Sequence, residues 1–469
     1  MRILLPTGSL TADIVRKAAD GYDAEVVVAG EIAAFLTPAD LKQMISAGAY
    51  DMVIVSGMST ASFASVEEET GVPVYRGPRH AADLGMILPL AGKIPLSRTV
   101  PADELFAAER REAAFRRLAE VEEKAEPEFV IRGTKIGGGS RMKVLAEIMD
   151  AHRHPALRET VEEHFRRGAD IVDLGFGFDA APEDVERCFA ALDGIDRPLA
   201  ADTQDPALIR AALCRADLIL SLHEGNIPAI GHDVAAAGAA AVIVPGDAGL
   251  DANLKAAEAA GIAALIADPR LQPAGSGFVA SLGNFSGASR PLFFGAGNVV
   301  ELLDADSVGA NALLAACAHE VGAAVIFTSE HSDKTRGSVA EMRRATEMMA
   351  VMGDHPYPKD LGIDLFVLKE KRRRREPGPE GERLDAPSAP EGFIPDPAGN
   401  LRIAIEEGWI LVGHKGRVFW GRTAADLAAA LVENGCVSRL DHAAYLGREL
   451  ARAETALLLG RSYVQDGRF

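Results

Sequence analysis

From residue 128 to 353 short apolar runs alternate with helical segments, and few folds accept that alternation. The strand-like runs are Phe129–Arg132, Ile171–Leu174, Leu199–Asp202, Leu218–Leu222, Ala241–Pro245, Ala264–Asp268, Leu292–Gly295 and Val325–Ser329. Amphipathic stretches such as PALRETVEEHFRRG, PEDVERCFAALDG and SVGANALLAACAHEVG separate them, and SVAEMRRATEMMAVMG follows the last. Eight strands with a closing helix in about 225 residues predict a (β/α)8 TIM barrel. The rival, a doubly wound open sheet, rarely runs eight parallel strands without interruption.

The body of each run is apolar and its polarity sits at the C-terminal end. Asp173 and Asp202 each end a short apolar run, and a buried carboxylate is unfavourable without a partner or a ligand. Thr134, Asp173, Asp202, Ser221 or His223, Asp268, Asn298 and Glu330 with His331 would collect at one mouth, where barrel enzymes build their sites. Any one of them reads equally well as a helix cap or a loop hydrogen bond. Taken together they mark one face.

Residues 1–100 read as an N-terminal flavodoxin/Rossmann-like α/β domain, with strands at Ile3–Pro6, Glu25–Ala29, Met52–Ser56 and Val72–Tyr75. Its first turn, PTGSLT, lacks both GxGxxG and GxxxxGK[ST], so it reads as a plain βα turn. Residues 101–127 form a charged connecting helix with a solvated face. Residues 354–469 read as a small C-terminal α+β domain. It holds a strand at Asp364–Leu368, a charged Pro-rich linker near 370–392 with the basic run Lys369 to Arg375, and antiparallel strands within LRIAIEEGWILVGHKGRVFWGRT. Two amphipathic helices follow; His442, Tyr445, Arg448 and Glu449 on the second read as intrahelical and packing contacts.

The net charge of −19 argues against nucleic acid, which demands a basic face. Cys188, Cys214, Cys317 and Cys436 form no CxxC pair and read as reduced packing residues. No apolar run approaches a membrane span, and MRILLPTGSL is broken too soon to be a signal sequence. These features predict a cytoplasmic protein with no membrane partner.

The segments IVDLG with Asp173, PLAADTQDPALIRAAL with Asp202, LIADP with Asp268 and GAAVIF resemble the pterin-binding superfamily, dihydropteroate synthase most closely. With the leading α/β domain and the tail HAAYLGRELARAE…SYVQD, the chain is similar to the dihydropteroate synthase-related proteins of organisms that make tetrahydromethanopterin. The resemblance implies a transferase of one-carbon metabolism that joins a dihydropterin-methyl diphosphate to an aryl amine. Asp268 would take the guanidine-like ring edge, Asp202 the other ring nitrogens, and Asp173 a supporting place. Two adjacent N–H donors suit a carboxylate bidentately. Phe176, Phe294 and Phe327 are candidate pocket walls, each equally at home in barrel packing. Related barrels pair through helices, which implies a homodimer.

Departures from the family cluster where diphosphate and amine would bind. The loop expected after strand one reads GTKIGGGSRMKV, without the Asn that holds Mg²⁺ in the family, so no metal ligand is assigned. Gly137–Gly139 beside Lys135, Arg141 and Lys143 would cradle phosphate instead. Strand four ends LILSLHEGN, leaving Ser221, His223 or Asn226 to replace an Asn. After strand seven the family's lysine is lost, and Lys334 and Arg336 after strand eight are the substitutes assigned to catalysis with Asp202. The GAGN turn places Asn298 where pterin-dependent methyltransferases carry an Asn, which keeps that activity as an alternative, beside a non-catalytic pterin-binding role.

Overall fold

The computed structural model describes residues 1–287, 290–353, 357–359, 361–369, 381–386 and 394–467. Strands β1 (Ile3–Thr7), β2 (Ala24–Val28), β3 (Met52–Val55) and β4 (Val74–Arg76) form a parallel sheet in the order β2-β1-β3-β4. Successive side chains leave opposite faces. Leu4, Val53 and Val55 therefore pack with Leu41 and Ile45, while Ile3, Leu5 and Ile54 pack with Val15 and Leu84. Both faces carry helices, as the strand–helix alternation predicts.

The charged helix Ala102–Lys124 follows. Lys135 closes its C-terminus by donating to the carbonyl oxygens of Glu122 at 2.7 Å and Ala125 at 3.0 Å. A cation there meets the negative end of the helix dipole and satisfies carbonyls that have no intrahelical partner.

Next comes an antiparallel hairpin, β5 (Phe129–Ile131) and β6 (Thr134–Ile136). Its two turn residues, Arg132 and Gly133, have φ of 41° and 78°, the left-handed conformation that matches strand twist in a two-residue turn. Ile131 and Ile136 pack against Leu145, Ile171, Leu218 and Val325 from the barrel interior. The hairpin thus plugs the N-terminal end of the barrel.

The barrel itself is β7 (Lys143–Ile148), β8 (Ile171–Gly175), β9 (Leu199–Asp202), β10 (Leu218–Leu222), β11 (Ala240–Ile243), β12 (Leu265–Ala267), β13 (Leu292–Phe294) and β14 (Ala323–Ser329). All pairs are parallel, and β14 closes onto β7 with Val325 opposite Lys143 and Ser329 opposite Glu147. The first strand is a correction. The sequence pattern assigns it to Phe129–Arg132, whereas that run is one arm of the plug and Lys143–Ile148 is the strand. A three-residue apolar run fits a hairpin arm as well as a barrel strand. Lys143, a charge at the start of the true strand, is buried through its ion pair with Glu122.

Alternation divides the barrel into two cores. Val144, Ala146, Val172, Leu174 and Ala201 point outward and pack under the helices. Leu145, Ile171, Ala200, Leu220, Val242, Ile266, Phe293 and Phe327 fill the interior. The same parity places Glu147, Asp173, Asp202 and Asp268 inward, one step further toward the C-terminal mouth.

Residues Met1–Leu365 make one compact unit, and a second is built on the C-terminal residues. In the second, β15 (Arg402–Glu406), β16 (Trp409–His414) and β17 (Arg417–Gly421) form an antiparallel sheet with the helices Ala424–Glu433 and Leu440–Leu458. Asp396 anchors the start of the last helix, accepting from the backbone N–H groups of Ser438 and Arg439, from the Ser438 hydroxyl and from His442 Nδ1. Tyr445 bonds Asp466, and buried Glu449 accepts from Tyr463 and Arg452, so these are packing contacts as expected. The strand expected at Asp364–Leu368 does not form: 361–369 hold no strand, and nothing pairs with them as a ladder among the described residues. Most of the expected linker near 370–392 and of its basic run lies outside the described residues.

Candidate functional site

Four carboxylates crown the barrel interior. Glu147 and Asp173 are register partners on β7 and β8, and Asp202 on β9 pairs with Gly175. Gly175 lies two residues beyond Asp173 on the same face, so the place a side chain would fill is open. A Cβ there would stand 3.1 Å from Glu147 Oε1. Asp268 follows β12, with β10 and β11 between it and Asp202.

Burial dominates the electrostatics of this crown. It pushes Glu147 up to about 7, with the charges of Asp202, Asp150 and Glu301 adding to the effect. It raises Asp202 to about 6. Asp173 is fully buried and is raised well above the usual carboxylate range by burial, then by Asp202 and Glu147. Burial also lifts Asp268 to about 6, against a hydrogen bond from the Arg270 N–H. That bond, 2.8 Å to Oδ1, fixes the carboxylate and leaves Oδ2 without a protein partner among the described residues.

The loops around the mouth are tied to one another by polar side chains. Asn226 donates to the carbonyls of Gln204 and Ser221, joining the loops after β9 and β10. Glu224 accepts from the Asp247 N–H and from Asn253, joining the loops after β10 and β11. Arg270 reaches the Pro245 carbonyl. Glu301 accepts from Ser329, Ser332 and Thr335; these bonds outweigh burial and hold it below its usual range. Such a rim holds the crown in place before any ligand arrives.

Among the residues the sequence singles out, Asp173, Asp202 and Asp268 do meet at the mouth. Ser221, His223 and Asn298 lie at strand ends on the same side, with Asn298 exposed. Asn226 is buried and spends its amide on the loop carbonyls, which makes it a staple. Lys334 pairs with Asp304 at 3.1 Å on the loop after β14, and Arg336 is on the same loop. Glu330 accepts from Arg167 and the Val339 N–H, a helix-start role, and His331 is held through its backbone N–H by Glu301.

Lys135, Arg141, Thr134 and Gly137–Gly139 are the corrections. They precede β7 and lie at the opposite end of the barrel, beside the plug. Lys135 caps a helix. Arg141 is buried, bonded to Asp170 at 2.6 Å and to Thr346. Gly138 is required because a Cβ would collide with the Glu126 carbonyl, at a φ of 61°. The glycines line a cavity of about 570 Å³ with Arg290 and His319, away from the carboxylates. Lys135→Ala should therefore leave ligand affinity at the mouth within twofold of wild type, measured by fluorescence titration. Of the three Phe candidates, Phe176 and Phe294 belong to the outer core against Phe189 and Phe285, and Phe327 alone is inside, against Phe293.

Glu147, Glu224 and Glu301 were not singled out by sequence. Glu147 carries a readable signal: KVLAEI has an inward acid next to its end, with the same alternation as IVD and LAAD.

Residues 395–466 match the domain model PterinBD-DUF4346. Over 517 aligned positions the chain is 33% identical to the "Uncharacterized protein MJ0107" of Methanocaldococcus jannaschii, covering 99% of this chain and 98% of that one. The chain belongs to the same family as that protein. A 52-residue stretch is 58% identical to a "Ycf91-like protein" of Nostoc sp., covering 10% of this chain and 41% of the other. Among solved structures, a dihydropteroate synthase of Thermus thermophilus in complex with 6HMPPP is 20% identical, spans 44% of this chain and 92% of its own, and has a TM-score of 0.35. One from Xanthomonas albilineans with 4-aminobenzoic acid is 19% identical over 46% and 95%, with a TM-score of 0.38. Likeness at that level says nothing of ligand or activity. No helix among the described residues is long and apolar enough to cross a membrane.

Proposed function

We propose that the barrel mouth binds a pterin and that the chain is a dihydropteroate synthase-like transferase. It would join a dihydropterin-methyl diphosphate to an aryl amine in tetrahydromethanopterin biosynthesis. The observation that carries this reading is the pair Asp202 and Asp268. Both are inward, both are raised only to about 6, and each keeps a carboxylate oxygen without a protein partner among the described residues. At neutral pH they are largely ionised, ready to accept from a ring edge that offers neighbouring N–H donors. The Asp268 carboxylate is already oriented by Arg270, so little ordering is left for the ligand to impose. Holding the pterin this way would orient its methylene toward the amine, and orientation supplies a large part of such a rate.

One observation favours the alternative of pterin-dependent methyl transfer. Lys135 and Arg141, expected to balance a leaving diphosphate, sit at the other end of the barrel, and Lys334 is engaged by Asp304. Methyl transfer needs no diphosphate, and Asn298 stands exposed just after β13.

The experiment is a paired assay on the purified full chain. Diphosphate release from the pterin diphosphate that depends on an aryl amine, and is lost in Asp202→Ala, supports the synthase reading. Methyl loss from a methylated pterin with a corrinoid protein present supports the alternative. Tight pterin binding without either reaction leaves a binding protein, and no pterin binding overturns all three.

A further inference from the structure

Elsewhere the fold gives its buried and half-buried acids hydrogen-bond partners. Glu301 has donors from three hydroxyl side chains, Glu449 has Tyr463 and Arg452, and Asp170 has Arg141, Arg343 and the Val144 N–H. At the mouth this stops. Glu147, Asp173 and Asp202 come from three neighbouring strands and bring one oxygen each within 4.8 Å of one another. No ion pair or side-chain hydrogen bond serves any of them among the described residues. Asp173 is 0% exposed, and neither of its carboxylate oxygens has a hydrogen-bond partner. Removing one partner-less carboxylate from water is already costly, and three adjacent ones repel besides.

We propose that Glu147, Asp173 and Asp202 together bind one divalent cation, Mg²⁺ or Mn²⁺. Nitrogen and sulfur donors are absent from the cluster, and an all-carboxylate set suits hard, oxygen-seeking ions. Six-coordinate oxygens about 2.1 Å from such an ion lie roughly 3 to 4 Å apart, so the 4.8 Å span needs only a small contraction. Gly175 makes the room. It is the inward position two residues beyond Asp173 and opposite Asp202 in the register, and a side chain there would crowd Glu147. Three protein oxygens leave the rest of the shell to water or to anionic oxygens of a ligand. Bound there, the ion would offset the negative charge of the cluster and let it tolerate an anion, without help from Lys135 or Arg141. The site stands on the carboxylates alone and holds whether or not the mouth takes a pterin.

The test uses the full chain stripped with chelator and titrated with Mn²⁺, no pterin present. Loss of the free-ion electron paramagnetic resonance signal reads binding, and Mg²⁺ serves as the competitor. The expected result is one Mn²⁺ per chain, displaced by Mg²⁺, with affinity at least thirtyfold weaker in Glu147→Gln and in Asp173→Asn. The exposed control Asp304→Asn should bind as wild type does. No binding to wild type up to millimolar Mn²⁺ overturns the proposal, as does binding that both variants retain. Neither carboxylate has a protein partner to lose, so both variants should fold, and a thermal melt in chelator checks it. Pterin affinity, measured separately, bears on the other reading and not on this one.

Discussion

Asp268→Asn should weaken pterin binding by at least a hundredfold while making the unliganded protein more stable. The amide keeps the oxygen that accepts from the Arg270 N–H, so the local turn survives. It loses the charge and one acceptor facing the ligand, and charge-assisted bonds to a buried partner contribute about 1.5–3 kcal/mol each. Stability moves the other way. The folded-state pKa of about 6 lies above the ordinary 3.8, so the ionised form is the one the fold penalises. That penalty is absent below about pH 4, grows as pH rises through 6, and is complete above it. Removing the charge should therefore raise unfolding free energy by about 2 kcal/mol at pH 8 and change it little at pH 4. Denaturant melts at the two pH values check the sign. Wild-type affinity should fall by roughly fivefold from pH 6 to pH 5 as the carboxylate is protonated, and the Asp268→Asn profile should be flatter. An Asn variant that binds as tightly as wild type would remove Asp268 from the ligand.

Arg141→Met should cost about 3 kcal/mol of stability and leave affinity at the mouth unchanged. Arg141 is buried, and its guanidinium meets Asp170 at 2.6 Å and Thr346 at 3.2 Å. Asp170 is largely buried, yet Arg141 and Arg343 hold it below its usual range against that burial. Without Arg141, the 3.2 Å contact to Arg343 remains, so the loss is short of a fully orphaned charge. A carboxylate depressed in the folded state stabilises above its unfolded pKa, and that contribution fades as pH falls through the folded value. The deficit of the variant should accordingly persist at pH 4 and shrink only in stronger acid, below the ordinary 3.8, as Asp170 itself is protonated. Urea unfolding at pH 7, pH 4 and pH 2.5 reads this, and a large loss of ligand affinity would return Arg141 to the site.

Both predictions turn on which end of the barrel a residue occupies. The carboxylates were legible because strand-end acids are conspicuous against apolar runs: IVD, LAAD and LIAD read the same way along the chain and in space. The cations were not. Lys135 and Arg141 follow a run that looks like a strand, and if it were the first barrel strand they would line the mouth. The error is one of topology, and every electrostatic role assigned to that loop inherited it.

The alternation of strands and helices followed from the chain alone, since a period of two or of 3.6 is local and needs only neighbours to be read. So did the acids that end β8, β9 and β12. Tertiary structure decided that 129–136 folds back as a plug and that Lys143–Ile148 closes the ring with Val325 opposite Lys143. A short apolar run can pair with its successor or with a strand some 180 residues away, and no local period distinguishes them. That long-range pairing is what sets Glu147 beside Asp173 and Asp202, and what carries Lys135 to the far end of the barrel.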